Sequence, residues 1–405
     1  MRELDSKTFC AAPFAHMYVH KNEDIKMCCV STEYKMASPS TEIDLEKRWK
    51  SDYYKNIRQQ FLDGEEPSIC TSCFTTERND GRSDRMNFND RYPFLKPNVE
   101  TGNQYGSPID LDIRPGNLCN LKCRMCGPES SSQLEKERLQ YKELFDNGRS
   151  KIYQPDGVFS EKNIDFLLKN ADKGDHIKFL GGEPTIMPEV SDILDNLIEN
   201  DKSHINVMIT TNCTNSIKSF TDKLNKFSNL SFNYSVDGTG KVVEYIRTPV
   251  KFKTIEKNMK LYHKMSTVDN ISFAFQAYNL FNLYDTIKWA ADLGVRVVPV
   301  LVEYPQWCSV LSVPKKIRDA ELDRTKQLML NDKKYAEWII NPNLGDKHPL
   351  SNIISTIDRI LEDDREYPVK NLAEMTWKFD TVRNQHIKDF IPEVWKIVKE
   401  EYESI

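Results

Sequence analysis

Leu111-Asp112-Ile113-Arg114-Pro115-Gly116-Asn117-Leu118-Cys119-Asn120-Leu121-Lys122-Cys123-Arg124-Met125-Cys126 is the stretch on which the fold reading turns. A short apolar run, Ile109–Ile113, reads as a strand, and Pro115-Gly116-Asn117 stops it. Three cysteines follow on one loop with C-x3-C-x2-C spacing. The carboxyl end of a strand in a parallel α/β sheet is where such folds place their chemistry. Further along, the strand candidates His176–Leu180, Ile205–Thr210, Leu230–Ser235, Ile271–Ala277 and Val295–Val302 alternate with amphipathic segments. Those helix candidates are Ser131–Phe145, Glu161–Asn170, Val190–Ile198, Ile217–Phe227, Phe252–Lys264 and Tyr284–Leu293. Strands that each lead into a helix predict an α/β fold with a parallel sheet. Eight units would close a barrel; six predict a partial (β/α)6 TIM-like barrel with an open side.

On either side of this core the pattern changes. Residues 1–95 carry half of the ten cysteines, a Ser38-Pro39-Ser40-Thr41 stretch, and helical periodicity from Leu45 to Leu62 that ends at Asp63-Gly64. A polar linker, Pro97 to Ser107, separates them from the barrel region at 108–310. Residues 311–405 read as charged helices: Asp319–Leu330, Asn352–Leu361, Leu372–Val382 and Ile391–Tyr402. They show no chemistry motif and read as a helical cap or docking surface.

Composition excludes several classes. The 405 residues are 39% hydrophobic and 29% charged, a globular balance. A net charge of −5 advertises no nucleic acid. The longest strongly apolar stretch, Val295–Val302, is far below the roughly 20 residues of a bilayer span. Met1–Lys7 is charged and leads into no apolar h-region, so a cytoplasmic rather than secreted protein is expected. In that setting, clustered thiols point to a metal or redox cofactor rather than to disulfides.

Three thiolates on one loop can hold three irons of a cubane cluster and leave the fourth without a protein ligand. Structural zinc normally takes four protein ligands, and no fourth Cys or His lies nearby. Downstream come Gly181-Gly182-Glu183-Pro184, Thr210-Thr211-Asn212-Cys213, and Ser235-Val236-Asp237-Gly238 with Tyr245-Ile246-Arg247. In their order and content these motifs resemble the radical S-adenosylmethionine (SAM) superfamily over roughly residues 109–303. The resemblance implies a 4Fe–4S cluster on Cys119, Cys123 and Cys126 whose open iron is chelated by the amino and carboxylate groups of SAM. Reductive cleavage then yields methionine and a 5′-deoxyadenosyl radical that takes hydrogen from substrate. By the same likeness Met125 contacts the adenine, and Gly181, Gly182, Glu183 and Pro184 bind the amino group. Ser235 or Asp237 touches the ribose or its surroundings, and Arg247 holds the carboxylate. Gln276 and Asn279, at the end of the fifth strand, are further candidates for cofactor or substrate contact. Relatives often carry Thr-Asn-Gly where this chain has Thr211-Asn212-Cys213, so Cys213 stands in place of a glycine.

Cys10, Cys28, Cys70 and Cys73 are spaced by 17, 41 and two residues. Four thiolates complete a closed site, which spacing alone leaves open between tetrahedral zinc and a fully ligated cluster. The segment resembles the twitch domain, a shortened relative of the SPASM domain. Phe9-Cys10-Ala11-Ala12-Pro13-Phe14 fits its opening and Cys70-Thr71-Ser72-Cys73 its close. Glu23 replaces the glycine expected five residues before Cys28, and the domain precedes the catalytic one instead of following it. The layout, with Ser83-Asp84-Arg85-Met86-Asn87 after the last pair, is similar to a group of radical proteins with this N-terminal order. The resemblance implies a second 4Fe–4S cluster for electron transfer. Cys29 adjoins Cys28 and is the alternative ligand.

Cys213 and Cys308 stand alone. A thiol at the radical face could return a hydrogen atom to a substrate radical, a role assigned first to Cys213, although unpaired cysteines are usually inert core residues. The expected activity is therefore an oxidoreductase that uses SAM, two 4Fe–4S clusters and a flavodoxin- or ferredoxin-type electron donor. Its expected substrate is a small polar molecule, sugar- or nucleotide-like. The alternative is a peptide or protein modified by cross-linking, oxidation or epimerisation. Outside the enzyme class the rival is a zinc-binding interaction protein.

Overall fold

The computed structural model describes residues 7–20, 25–32, 44–78, 82–96, 106–145, 159–171, 176–332 and 351–405. Ser38–Thr41, Glu23 and most of the Pro97–Ser107 linker lie outside them. The fold is α/β, with a sheet of seven parallel strands and one short antiparallel one. The strands are β1 (His16–His20), β2 (Ile25–Lys26), β3 (Asp110–Arg114), β4 (His176–Phe179), β5 (Asn206–Thr211), β6 (Asn229–Ser235), β7 (Val268–Phe275) and β8 (Arg296–Leu301). Their order is β2-β1-β3-β4-β5-β6-β7-β8. All six strands expected from the apolar runs are present within three residues of their expected ends. β1 is the addition: it runs parallel to β3, and β2 turns back antiparallel on it.

The chain divides into two compact units, Met1–Leu118 with Ile152–Ile209 and Ile217–Ser231, and Cys119–Lys151 with Thr210–Ser216 and Phe232–Ile405. In the first unit the Cys-bearing N-terminal segment shares one sheet with β3 and β4. The strand registers align His16, Asp110, His176 and Asn206 in one row, and Tyr18, Asp112, Lys178 and Met208 in the next. His20 and Arg114 begin a third row. Because side chains alternate along a strand, these rows share one face, and Met17, Val19, Leu111, Ile113, Ile177 and Phe179 occupy the other.

The polar face is closed at the amino end of the strands. Asp110 is buried, and its carboxylate accepts hydrogen bonds from the Tyr92 hydroxyl at 2.8 Å and Arg91 Nη1 at 2.9 Å. His16 and His176 bring their Nδ1 atoms to 3.2 and 3.3 Å from its other oxygen. Burial pushes the Asp110 pKa up, but these surrounding donors outweigh it and hold the carboxyl well below the usual range.

The periodic run Leu45–Leu62 is two helices, Leu45–Trp49 and Asp52–Leu62. Ser51 between them is extended, and its hydroxyl accepts from Tyr54 N at 3.3 Å, an N-cap that breaks the run. The expected stop holds: Gly64 takes φ +78°, a left-handed helix terminus. In the second unit, Leu134, Phe145 and Phe379 form a small core joining the helix after the cysteine loop to the helix Val369–Arg383.

Candidate functional site

The cysteine loop in the second unit is tied down by its backbone. Lys122 N donates to Thr248 O at 2.5 Å and Arg124 N to Ile246 O at 2.9 Å, which fixes the loop beside the segment carrying Arg247. Cys126 N closes a turn onto Cys123 O at 3.2 Å. Cys119 and Cys123 are buried, and Cys126 and Met125 are half-buried. The neighbouring Cys126 thiol holds Cys123 below its ordinary range, and Cys123 in turn pushes Cys126 well above it. The Arg247 cation pulls both down.

Arg247 is buried and doubly anchored. Its Nε donates to Asp237 Oδ2 at 2.6 Å, and its Nη1 reaches Cys123 Sγ at 3.8 Å. Burial would lower its pKa, but Asp237 and Cys123 more than offset that and raise it. The other oxygen of Asp237 accepts from Ala274 N at 2.8 Å, so this carboxylate orients the arginine instead of standing free. Ser235, at the end of β6, is half-buried. Asn279 is fully engaged by backbone: it accepts from Gln276 N and donates to Asp237 O and Ala274 O. Gln276 Oε1 accepts from Cys308 Sγ at 2.8 Å, and burial pushes that thiol far up. Both amides thus brace the β7 loop.

Asn212 joins the set, although as part of the Thr210-Thr211-Asn212 strand end it carried no assigned role. Its Nδ2 lies 4.0 Å from Cys119 Sγ and donates to Asn120 Oδ1 at 3.0 Å. Its Oδ1 accepts from Thr214 N and Oγ1. Cys213 has φ +59°, the left-handed region that favours glycine, which accounts for the glycine in relatives. Its side chain is fully buried, with Sγ 3.8 Å from Thr211 O.

The C-terminal helices reach the loop as well. Arg124 is completely buried, 2.6 Å from Asp380 Oδ1, with its guanidinium 3.6 Å from the centre of the Tyr245 ring. Glu137 links Lys122 at 2.7 Å with Arg383 at 2.7 Å. The charged C-terminal region, read from sequence as a cap, therefore braces the cysteine loop through two buried ion pairs. Sequence order hides this pairing, because Arg124 and Asp380 are 256 residues apart.

In the first unit, Gly181 and Gly182 make a close backbone approach. Gly181 has φ +117°, and a Cβ on Gly182 would lie 2.2 Å from Leu118 O. Gly182 N and Glu183 N donate to Gly116 O and Leu118 O at 3.0 and 2.8 Å, against the residues just before Cys119. Glu183 is fully buried, and its Oε1 accepts from Thr185 N and Oγ1 at 3.2 and 2.7 Å. Pro184 opens the short 3-10 turn that this carboxylate caps.

Also in this unit, Cys10, Cys28, Cys70 and Cys73 line one small apolar cavity, with Phe61 and Arg85 in its wall. Burial raises the Cys10 and Cys28 thiols, and neighbouring thiols raise them further. Arg85 donates to Phe9 O at 2.7 Å and to Glu77, which aims a held cation at this group. Cys29 is exposed and does not line this cavity; Cys28 is the one that shares it with the other three thiols.

Among the described residues no group of three or more His, Cys, Asp or Glu side chains is drawn together around a point where a single metal ion would sit. A four-iron cluster takes one thiolate per iron and so needs wider spacing. The donor set fits that need at both places: soft thiols, little competing oxygen, and a buried arginine beside each. Among the described residues no helix is long and apolar enough to cross a membrane.

Residues 113–275 match the family model described as the radical SAM superfamily. No curated protein matches the sequence. Among solved structures the chain is similar to SuiB of Streptococcus suis bound to S-adenosylmethionine (17% identity, TM-score 0.39, 74% of this chain and 64% of that one). It is also similar to anSMEcpe with bound AdoMet (20% identity, TM-score 0.41, 58% and 66%) and to TYW1 with a lysine-pyruvate adduct (13%, 0.34, 70% and 89%). The chain thus spans 64–66% of the length of the first two. The matched segment begins in β3, runs through the three-cysteine loop, Gly181–Pro184 and Arg247, and ends with β7, so the similarity to the radical SAM superfamily covers the sheet strands and loops that carry the candidate site.

Proposed function

We propose that the chain is a radical SAM oxidoreductase in which Cys119, Cys123 and Cys126 hold a 4Fe–4S cluster and Cys10, Cys28, Cys70 and Cys73 hold a second one. When bound, the first cluster and SAM supply a 5′-deoxyadenosyl radical that abstracts hydrogen from substrate. The observation that carries this reading is the buried Asp237–Arg247–Cys123 chain. It presents a buried guanidinium beside the thiols, a cation that would suit the carboxylate of SAM. The buried Glu183 carboxylate is the kind of acceptor an ammonium group takes. Met125 offers a half-buried thioether to the adenine. Asn212 and Arg247 temper the charge on Cys119 and Cys123.

The second site supports electron transfer. Four thiolates leave no vacant iron for substrate, and the Arg85 cation stabilises a net anionic centre. Electron transfer from a substrate radical suits net oxidation of a small polar molecule. The hydrogen-donor role of Cys213 would require its buried thiol to leave the Thr211 carbonyl, which places it behind the oxidative reading. A flavodoxin- or ferredoxin-type donor and a reducing cytoplasmic setting complete the proposal.

Metal analysis of anaerobically reconstituted protein tests the two-cluster assignment. About eight irons per chain are expected, falling to about four in Cys70→Ala/Cys73→Ala. About four irons in the unsubstituted protein, or one or two zinc ions with no iron, would refute it.

A further inference from the structure

The face that carries Asp110 at the amino end of the strands carries a different set of charges at their carboxyl end. There Tyr18, Asp112 and Lys178 are register partners on β1, β3 and β4, and His20 and Arg114 follow one step on. Asp112 is more than nine-tenths buried, and its Oδ1 makes no hydrogen bond. The Arg114 Nε atom, also buried without a hydrogen-bond partner, stands 3.8 Å from that oxygen. Lys178 Nζ stands 3.9 Å from Asp112 Oδ2. Both separations are too long for hydrogen bonds and suit an intervening atom. The Arg114 and Lys178 side chains remain 27% and 28% exposed, so both cations are reachable.

The charge balance selects the ligand. Arg114 and Lys178 are the cations drawn up to Asp112, at 3.8 and 3.9 Å, and His20 adds nothing at neutral pH, because burial, then Arg114 and Lys26, lower its pKa to about 4. The Arg114 guanidinium is held over the Tyr18 ring at 5.1 Å, which orients it without using its hydrogen-bond donors. A buried carboxylate oxygen with no donor requires one from outside.

We infer that this face binds a small anion through Arg114 and Lys178, a carboxylate or a phosphate, whose adjacent hydroxyl or ammonium group donates to Asp112. As the anchoring end of the substrate, the site rests on the radical reading above; as an anion site it stands without it.

Equilibrium dialysis of the full chain against labelled inorganic phosphate, acetate and glycolate tests the inference. Saturable binding of one anion per chain is expected, weakened about tenfold or more by Arg114→Gln and by Lys178→Gln. Both side chains are partly exposed, so these variants keep the fold. Phosphate binding alone assigns a phosphorylated ligand, and acetate and glycolate binding alone assigns a carboxylic one. Glycolate, which is acetate with one added hydroxyl, should bind more tightly than acetate, and Asp112→Ala should erase that difference. No saturable binding of any of the three, or binding indifferent to both glutamine variants, overturns the inference. SAM cleavage by the unsubstituted protein, measured on the same preparation, separates the two readings. Cleavage without anion binding sinks only this site, and anion binding without cleavage sinks only the radical reading.

Discussion

Arg247 shows what a single residue carries here. Its fork spans Asp237 on one side and Cys123 on the other, a bridge that a lysine ammonium cannot reproduce. Arg247→Lys is therefore expected to lower the rate of 5′-deoxyadenosine formation at least tenfold and to weaken SAM binding, although charge is conserved; quantifying both by chromatography and titration checks it. Wild-type values would show that the bridge is only structural. The sequence made Arg247 and Asp237 visible through their motif, but not their pairing. Cys213 was legible as a departure from glycine, and its φ of +59° gives the reason a glycine suits that position. Gln276 and Asn279 were found as loop residues at a strand end. Their direction was not legible, since what each amide meets depends on Cys308 and on backbone folded back from β7.

At the scale of elements, the helix Val369–Arg383 is the part that sequence alone undervalued. Its buried face mixes Leu372, Ala373 and Phe379 with polar residues: Asp380 accepts from Arg124, the Tyr245 hydroxyl at 2.8 Å and Ile387 N at 2.8 Å. Removing one partner of such a buried pair leaves the other charge uncompensated, so Asp380→Ala should destabilise the protein by about 3–5 kcal/mol. The double variant Arg124→Met/Asp380→Leu should recover much of that loss, as read from chemical-denaturation midpoints. A small effect for the single variant would show that water already solvates Arg124. The strands were legible because short β-branched and aromatic runs sit between turn residues. β1 was not, because its burial runs through His16-Met17-Tyr18-Val19-His20, two of whose three polar-face residues are histidines. A buried histidine reads as surface until its partner Asp110 is known, and that partner is on another strand.

Over the whole molecule, stability and chemistry are both set by charges placed on buried faces. Asp110 has a folded pKa held well below the unfolded value of about 3.9, so its contribution to stability is complete above that value and is lost as pH falls through the folded pKa. The thermal midpoint of the cluster-free protein should accordingly drop as pH is lowered from about 5 towards 2, and Asp110→Asn should lower it at pH 7 while flattening that dependence. Parallel curves for the two proteins would remove Asp110 from this role. The most direct test of the central claim is anaerobic incubation of the reconstituted, reduced protein with SAM. The account predicts 5′-deoxyadenosine and methionine in equal amounts from the unsubstituted chain and none from Cys126→Ala. An iron-loaded, reduced protein that leaves SAM intact, or a Cys126→Ala variant that still cleaves it, would contradict the account.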